Sequence, residues 1–268
     1  MKKISMLAIA FIFALLGNSA ASAAQSKEAM VRIVHASPDA PAVDVAVNGD
    51  VVVEGAEFKA ATDFMAVPAG EHKVEIFAAG TADEGKPVIS ADLTVEAGKM
   101  YTAAAINTLD NLELKVLNDD TMTTNGKSKV RVGHFSPDAP AVDVGIKGED
   151  ALFAGAEFSG VTEYMEVDPG SYDLEVRPAG TMDSVLDLSG TELKENMTYT
   201  VLAVGFLEKE PALDAIVLED PMMPSGMPKT GMGGASESSG SAAPWAAAGM
   251  GAVLLGALMI YGKKKSAQ

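Results

Sequence analysis

Along this 268-residue chain, His35, Ser37 and Asp39 stand together in one short segment, and the same three residue types recur as His134, Ser136 and Asp138. Histidine, hydroxyl and carboxylate are the groups of nucleophilic acyl transfer, in which the histidine takes the serine proton and the carboxylate orients the ring. Their spacing argues against that use. Relay groups converge from separate parts of a fold beside an oxyanion hole, whereas these three are sequence neighbours entering a Ser-Pro-Asp-Ala-Pro turn. Proline presets φ and removes backbone donors, and Ser and Asp side chains bond nearby amides. Turn stabilisation is therefore the expectation for His35, Ser37, Asp39, His134, Ser136 and Asp138, with a binding site as their functional alternative. No catalytic residue and no enzyme activity are expected. His72 has no counterpart, because Ser171 and Tyr172 occupy that region of the second copy, and it reads as a surface histidine.

Metal and cofactor chemistry find little support. There is no cysteine, so thiolate nucleophiles, thiolate metal sites and disulfides are excluded. Zinc would have one histidine per repeated block. Carboxylates are plentiful, at Asp39, Asp44, Asp119 and Asp120 and again at Asp138, Asp143, Glu219 and Asp220, but no Asp-x-Asp-x-Asp-Gly run gathers them into a calcium loop. Asp119-Asp120 and Glu219-Asp220 close equivalent strands, which leaves a calcium site at a domain end as the open alternative. Gly80-Thr81 and Gly180-Thr181 lack the pattern of a phosphate-binding loop. No metal and no cofactor are assigned. Phe58, Phe64, Phe158 and Tyr164 occupy matching places and read as core or inter-sheet residues, while Trp245, the sole tryptophan, lies in a terminal apolar run.

The elements that carry these residues are written twice. Val31 to Val45 recurs as Val130 to Val144, offset by 99, and Gly55-Ala56-Glu57-Phe58 returns as Gly155-Ala156-Glu157-Phe158. A unit of this length exceeds solenoid repeats, so each copy is expected to be a domain with its own core, two beads on a string. Short alternating segments such as Val31/Ile33/His35, Val43/Val45/Val47 and Leu112/Leu114/Val116 lie between turn residues, the pattern of half-buried strands. With no amphipathic helix of useful length, the fold class is all-β: two tandem immunoglobulin-like antiparallel β-sandwiches. A hairpin centred on Pro38 places Arg32 opposite Asp44, and its copy places Arg131 opposite Asp143. These are expected as exposed ion pairs worth about 0.2–1 kcal/mol.

The block V-R-x-x-H-x-S-P-D-A-P-A-V-D-V resembles that of a bacterial family of secreted, often tandem β domains known only as a domain of unknown function. The resemblance covers about 31–120 and 130–220. It implies an exported all-β module and carries no activity with it.

Both ends read as addresses. Lys2-Lys3, the apolar run from Met6 to Leu16 and the small residues Ala21 and Ala23 make a signal peptide over 1–23, cleaved after Ala23. Repeat 1 is then placed at 30–120, a polar linker at 121–129, repeat 2 at 130–220 and a disordered linker at 221–244. A transmembrane helix is expected at 245–261, between Trp245 and Tyr261, with a basic tail at 262–268 whose lysines keep it cytoplasmic. Met227-Pro228-Lys229-Thr230-Gly231, followed by spacer, span and basic tail, resembles the sorting signal of Gram-positive surface proteins. The resemblance implies recognition of Pro228 and Thr230 by a sortase, scission of the Thr230-Gly231 bond and transfer of Thr230 to peptidoglycan. Met227 stands where that family usually has Leu.

The segment 24–244 carries 15 basic against 37 acidic residues, a formal charge of −22, which repels nucleic acid and anionic headgroups. The expectation is a cell-surface structural or adhesion protein, anchored in the wall or by a single membrane pass. Its expected partners are sortase, peptidoglycan, the membrane through the C-terminal helix, and an unidentified extracellular protein or glycan, with no nucleic acid. A surface receptor for a glycan or small ligand is the rival.

Overall fold

The computed structural model describes residues 27–222. Strands form where β-branched and aromatic residues alternate with small or polar ones. In chain order they are β1 (Glu28–His35), β2 (Val43–Val47), β3 (Asp50–Ala56), β4 (Met65–Pro68), β5 (Gly70–Ala78), β6 (Ile89–Val95), β7 (Met100–Ile106) and β8 (Glu113–Asp119), then β9 (Ser128–His134), β10 (Val142–Ile146), β11 (Ala151–Ala156), β12 (Met165–Val167), β13 (Gly170–Pro178), β14 (Leu186–Leu193), β15 (Met197–Val204) and β16 (Asp214–Pro221). They build four sheets of four strands. Repeat 1 has the orders β4-β1-β7-β8 and β3-β2-β5-β6, and repeat 2 has β12-β9-β15-β16 and β11-β10-β13-β14. Asn48 and Gly49, both at positive φ (53° and 90°), form the two-residue turn that joins β2 to β3, as an Asn-Gly pair can at low cost.

The all-β expectation holds, with two differences in detail. β1 does not pair with β2. It lies between β4, antiparallel, and β7, parallel, with Val31 beside Tyr101 and Ile33 beside Ala103, while β2 belongs to the opposite sheet. The expected hairpin is therefore incorrect in both copies, and the sheets are not purely antiparallel, since β9 and β15 repeat the parallel pairing. The physical reason lies in Pro38 and Pro41, which lack the amide donors that a tight two-strand ladder needs. The segment serves instead as a corner that carries the chain from one sheet to the other.

Each repeat closes a core between its two sheets. Val31, Ile33, Val43, Val45, Val74, Ile76, Leu93, Tyr101 and Ala103 fill the first, and Val130, Val132, Val142, Val144, Val176, Leu193, Tyr199 and Val201 fill the second. A third apolar layer joins the repeats. Val34, Ala36, Ala104, Ile106 and Leu117 of repeat 1 cluster with Phe135, Leu202, Val204, Ile216 and Leu218 of repeat 2, so the outer face of β1-β7-β8 packs on the outer face of β9-β15-β16. Two beads on a string give way to a four-sheet stack with three apolar layers. Strands buried on both faces cannot alternate, and β7 is accordingly buried along its whole length.

The expected signal peptide at 1–23, the expected sorting motif Met227 to Gly231, the expected span at 245–261 and the basic tail fall outside the described residues. Among the described residues no helix is long and apolar enough to cross a membrane.

Candidate functional site

The repeated His-Ser-Asp triplet forms a corner held by backbone. His35 Nε2 donates to the Pro41 carbonyl at 3.0 Å, and its Nδ1 accepts from the Ser37 amide at 3.3 Å. His134 does the same with the Pro140 carbonyl at 2.9 Å and the Ser136 amide at 3.4 Å. A carbonyl can only accept and an amide can only donate, so these contacts hold the ring neutral and occupy both nitrogens. Neither nitrogen is left to take a serine proton. Asp39 accepts the Leu109 amide at 2.8 Å, and Asp138 accepts the Leu207 amide at 2.7 Å, so each carboxylate caps the loop after the seventh strand of its own repeat. Ser136 Oγ approaches Asp138 at 3.4 Å, whereas the buried Ser37 Oγ has no partner. The edges of Phe58 and Phe158 close over the two histidines, with ring centroids 6.4 and 6.2 Å away.

Burial pushes both imidazoles below their ordinary range, against the carbonyl bonds that favour charge. In the unfolded chain each ring titrates near 6.5. Their contribution to stability is therefore complete above about pH 6.5 and is lost as pH falls below it, because the unfolded chain binds protons that the fold refuses. The slope reaches up to about 1.4 kcal/mol per pH unit for each ring. Urea midpoints measured from about pH 7.5 down to about 5.5 should decline on the acid side, and His35→Gln combined with His134→Gln should flatten that decline.

Asp44 and Asp143 do not face arginines across a hairpin. Asp44 accepts the amides of Gly55 and Gly80, both at 2.7 Å, and Asp143 accepts those of Gly155 at 2.7 Å and Gly180 at 2.9 Å. These two amides hold the Asp143 carboxyl below the usual carboxylate range. Each aspartate thus ties the end of β3 or β11 to the turn that follows β5 or β13. His72 is not on the surface: it is buried, bonded to the Pro68 carbonyl at 2.7 Å and to Asn48 at 2.9 Å, and packs the end of β5.

The arginines of the motif meet at the layer between the repeats. Arg32, 4% exposed, makes a two-pronged pair with Asp220 at 2.9 and 2.8 Å, bonds Thr102 at 2.7 Å, lies 3.6 Å from Asp119 and stacks 4.4 Å from the Phe64 centroid. Arg131, also 4% exposed, pairs with Asp119, bonds Thr200 at 2.9 Å and the Asn118 carbonyl at 2.6 Å, and stacks 4.5 Å from the Tyr164 centroid. Each arginine reaches the aspartate at the end of the other repeat's last strand. This exchange of roles is the relation imposed by a two-fold axis, here acting within one chain. Two guanidinium and two carboxylate groups cancel in a buried space. Burial nevertheless pushes the Asp220 carboxyl up, against the pull of Arg32.

The arginines were expected as exposed partners of Asp44 and Asp143; the structure corrects both the partner and the burial. Asp119 and Asp220, marked as possible calcium ligands by sequence, are the counter-ions of this seam, and among the described residues no group of three or more His, Asp or Glu is placed to hold a metal. Thr102, Thr200, Phe64 and Tyr164 complete the network. Their signal in the sequence is the unbroken apolar run after each threonine, Ala103 to Ile106 and Val201 to Val204.

The model of one protein family, described as domain of unknown function DUF4397, matches residues 29–145 and 146–230. No curated protein matches the chain. Among solved structures, a candidate cell adhesion protein of Parabacteroides distasonis is 9% identical, over 74% of this chain and 100% of that one, with a TM-score of 0.20. A candidate cell adhesion protein of Bacteroides eggerthii is 10% identical over 73% and 96%, also at 0.20, and a candidate adhesin of Bacteroides ovatus is 9% identical over 74% and 95%, again at 0.20. Likenesses at this level leave fold and role to be read from the chain itself.

Proposed function

We propose, from the premise that this chain belongs to the DUF4397 family of domains of unknown function, that it is a cell-surface display and adhesion protein whose two β modules act as one stiff body. The seam is the observation that carries this reading. A protein that projects or holds against shear gains from modules that cannot rotate about a linker, and a buried charge network between two apolar sheet faces supplies that stiffness. Of the motif residues that could have done chemistry, the histidines and aspartates are occupied by backbone amides and carbonyls, and the Ser37 hydroxyl is buried beside a histidine with no free nitrogen. A small ligand held inside a module would need more room than the sandwiches give, since their apolar cavities measure about 20 Å³ each, about the room of one water.

Attachment follows from Met227-Pro228-Lys229-Thr230-Gly231, with peptidoglycan as the acceptor and a sortase as the transferring partner. Wild-type protein should end at Thr230 and resist extraction by detergent alone. Thr230→Ala should yield a detergent-extractable form with unchanged thermal unfolding of the β modules. Peptides from 245–268 on most of the mature protein would sink the sorting route and leave a permanent membrane span in its place.

A further inference from the structure

The seam is even-handed in charge and uneven in volume. Each repeat brings one arginine, one aspartate, one threonine and one aromatic ring: Arg32, Asp119, Thr102 and Phe64 on one side, Arg131, Asp220, Thr200 and Tyr164 on the other. The apolar positions differ. Where repeat 1 has Ala36 and Ala104, repeat 2 has Phe135 and Leu202, and where repeat 1 has Val34, repeat 2 has Gly133, at which a Cβ would meet Leu202 Cδ2 at 2.7 Å. Two faces of repeat 2 would crowd, and two faces of repeat 1 would leave voids. The seam therefore selects one repeat 1 with one repeat 2. Nothing in its geometry requires both to come from the same chain.

The connector supports the same conclusion. Eight residues, Asp120 to Lys127, separate β8 from β9. Thr121 bonds Met100 of repeat 1, whereas Thr124 bonds Glu166 and Gly126 bonds Asn196 of repeat 2. Thr123 also bonds Glu166, so Met122, which is exposed, stands alone between these two sets of anchors, and this is where the chain can turn. A short connector gives the partner repeat of the same chain an effective concentration on the order of millimolar. Copies crowded to that level compete with it.

We propose that the seam is exchangeable, so that repeat 1 of one copy closes on repeat 2 of a second copy of this chain and joins crowded copies to one another. The inference concerns the seam alone and stands whether or not a sortase acts. Lys59 of repeat 1 and Asp214 of repeat 2 form an exposed ion pair across the same junction. A water-soluble carbodiimide condenses them to an amide, the water lost being taken up as the reagent's urea. Full-length ¹⁴N and ¹⁵N chains in mild detergent, unfolded together and refolded at rising concentration, should give Lys59–Asp214 cross-links of one isotope when dilute. Mixed cross-links should then rise toward half of the total. Cross-links that form but stay unmixed up to millimolar concentration would overturn exchange. Deleting Thr121 to Thr124 halves the connector and should move the crossover to at least about tenfold lower concentration. A deleted chain that stays monomeric and still cross-links Lys59 to Asp214 would overturn it equally.

Discussion

Replacing Asp220 by alanine should lower the unfolding free energy by about 3–5 kcal/mol, a large share of the roughly 5–15 kcal/mol that holds a typical domain together. The change removes both short bonds from Arg32 and leaves its guanidinium buried, with Thr102 at 2.7 Å and Asp119 at 3.6 Å as its remaining polar contacts. Asp119 cannot fully replace what is lost, because it is already paired with Arg131. The cost is that of an uncompensated buried charge. Removing both members, as Arg32→Met with Asp220→Leu, should therefore recover most of the loss, since apolar groups of similar volume fill such a place without needing a counter-charge. Urea titrations with unchanged slope and shifted midpoint would measure both. A loss below about 1 kcal/mol for Asp220→Ala would mean that the seam admits water, and the exposed pairs first expected from sequence would then describe its energetics better.

Phe135→Ala should cost about as much, about 3–5 kcal/mol, by a different route. Phe135 is 0% exposed and belongs to the apolar layer shared by the two repeats, not to the core of its own sandwich. Its removal leaves a cavity between two rigid sheets, which relax less readily than loops do. Because the loss falls on the seam, a single unfolding transition should also begin to split into two. The mirror change, Ala36→Phe, adds a ring where repeat 1 has none and should overpack the seam by about 1–3 kcal/mol. Calorimetry on the four-member cycle of these variants would measure the coupling between positions 36 and 135.

The all-β class, the two copies and the division into strands and turns were legible because each sandwich has a core between its sheets, and alternation records that core along β2, β5 and β13. The His-Ser-Asp segment was legible as a corner but not in its bonds: Ser and Asp were expected to bond nearby amides, whereas Ser37 Oγ has no partner, Asp39 and Asp138 reach amides 70 and 69 residues on, and the histidines hold the corner. What could not be read was the seam. Arg32 and Arg131 sit in strands whose two faces are both covered, and a local pattern cannot say whether the second cover is solvent or another sheet. Their nearest acidic residues in sequence, Asp44 and Asp143, supplied a plausible local partner, whereas the true partners lie at the far ends of β16 and β8. The offset between Asp119 and Asp220 differs from that between Arg32 and Arg131, so the copied motif did not mark them as a set. His72 misled because it has no copy, although a place between two loops buries it.

The central position of β1 has a consequence in time. Its parallel neighbour β7 begins 70 residues after Met30, at Met100, and the carboxylate that neutralises Arg32 stands 188 residues away. A chain emerging from its N-terminus makes the middle strand of a sheet before either flanking strand exists, and makes the buried arginine long before its counter-ion. Such distant pairings bring slow folding, because loop entropy is lost before contacts repay it. The first repeat can gather its core once β8 has been made, but its outer face stays uncovered until β16 arrives. Completion of the last strand is thus the event that closes the first, and a nascent chain displays an open sheet whose arginine lacks its two-pronged partner for most of its synthesis.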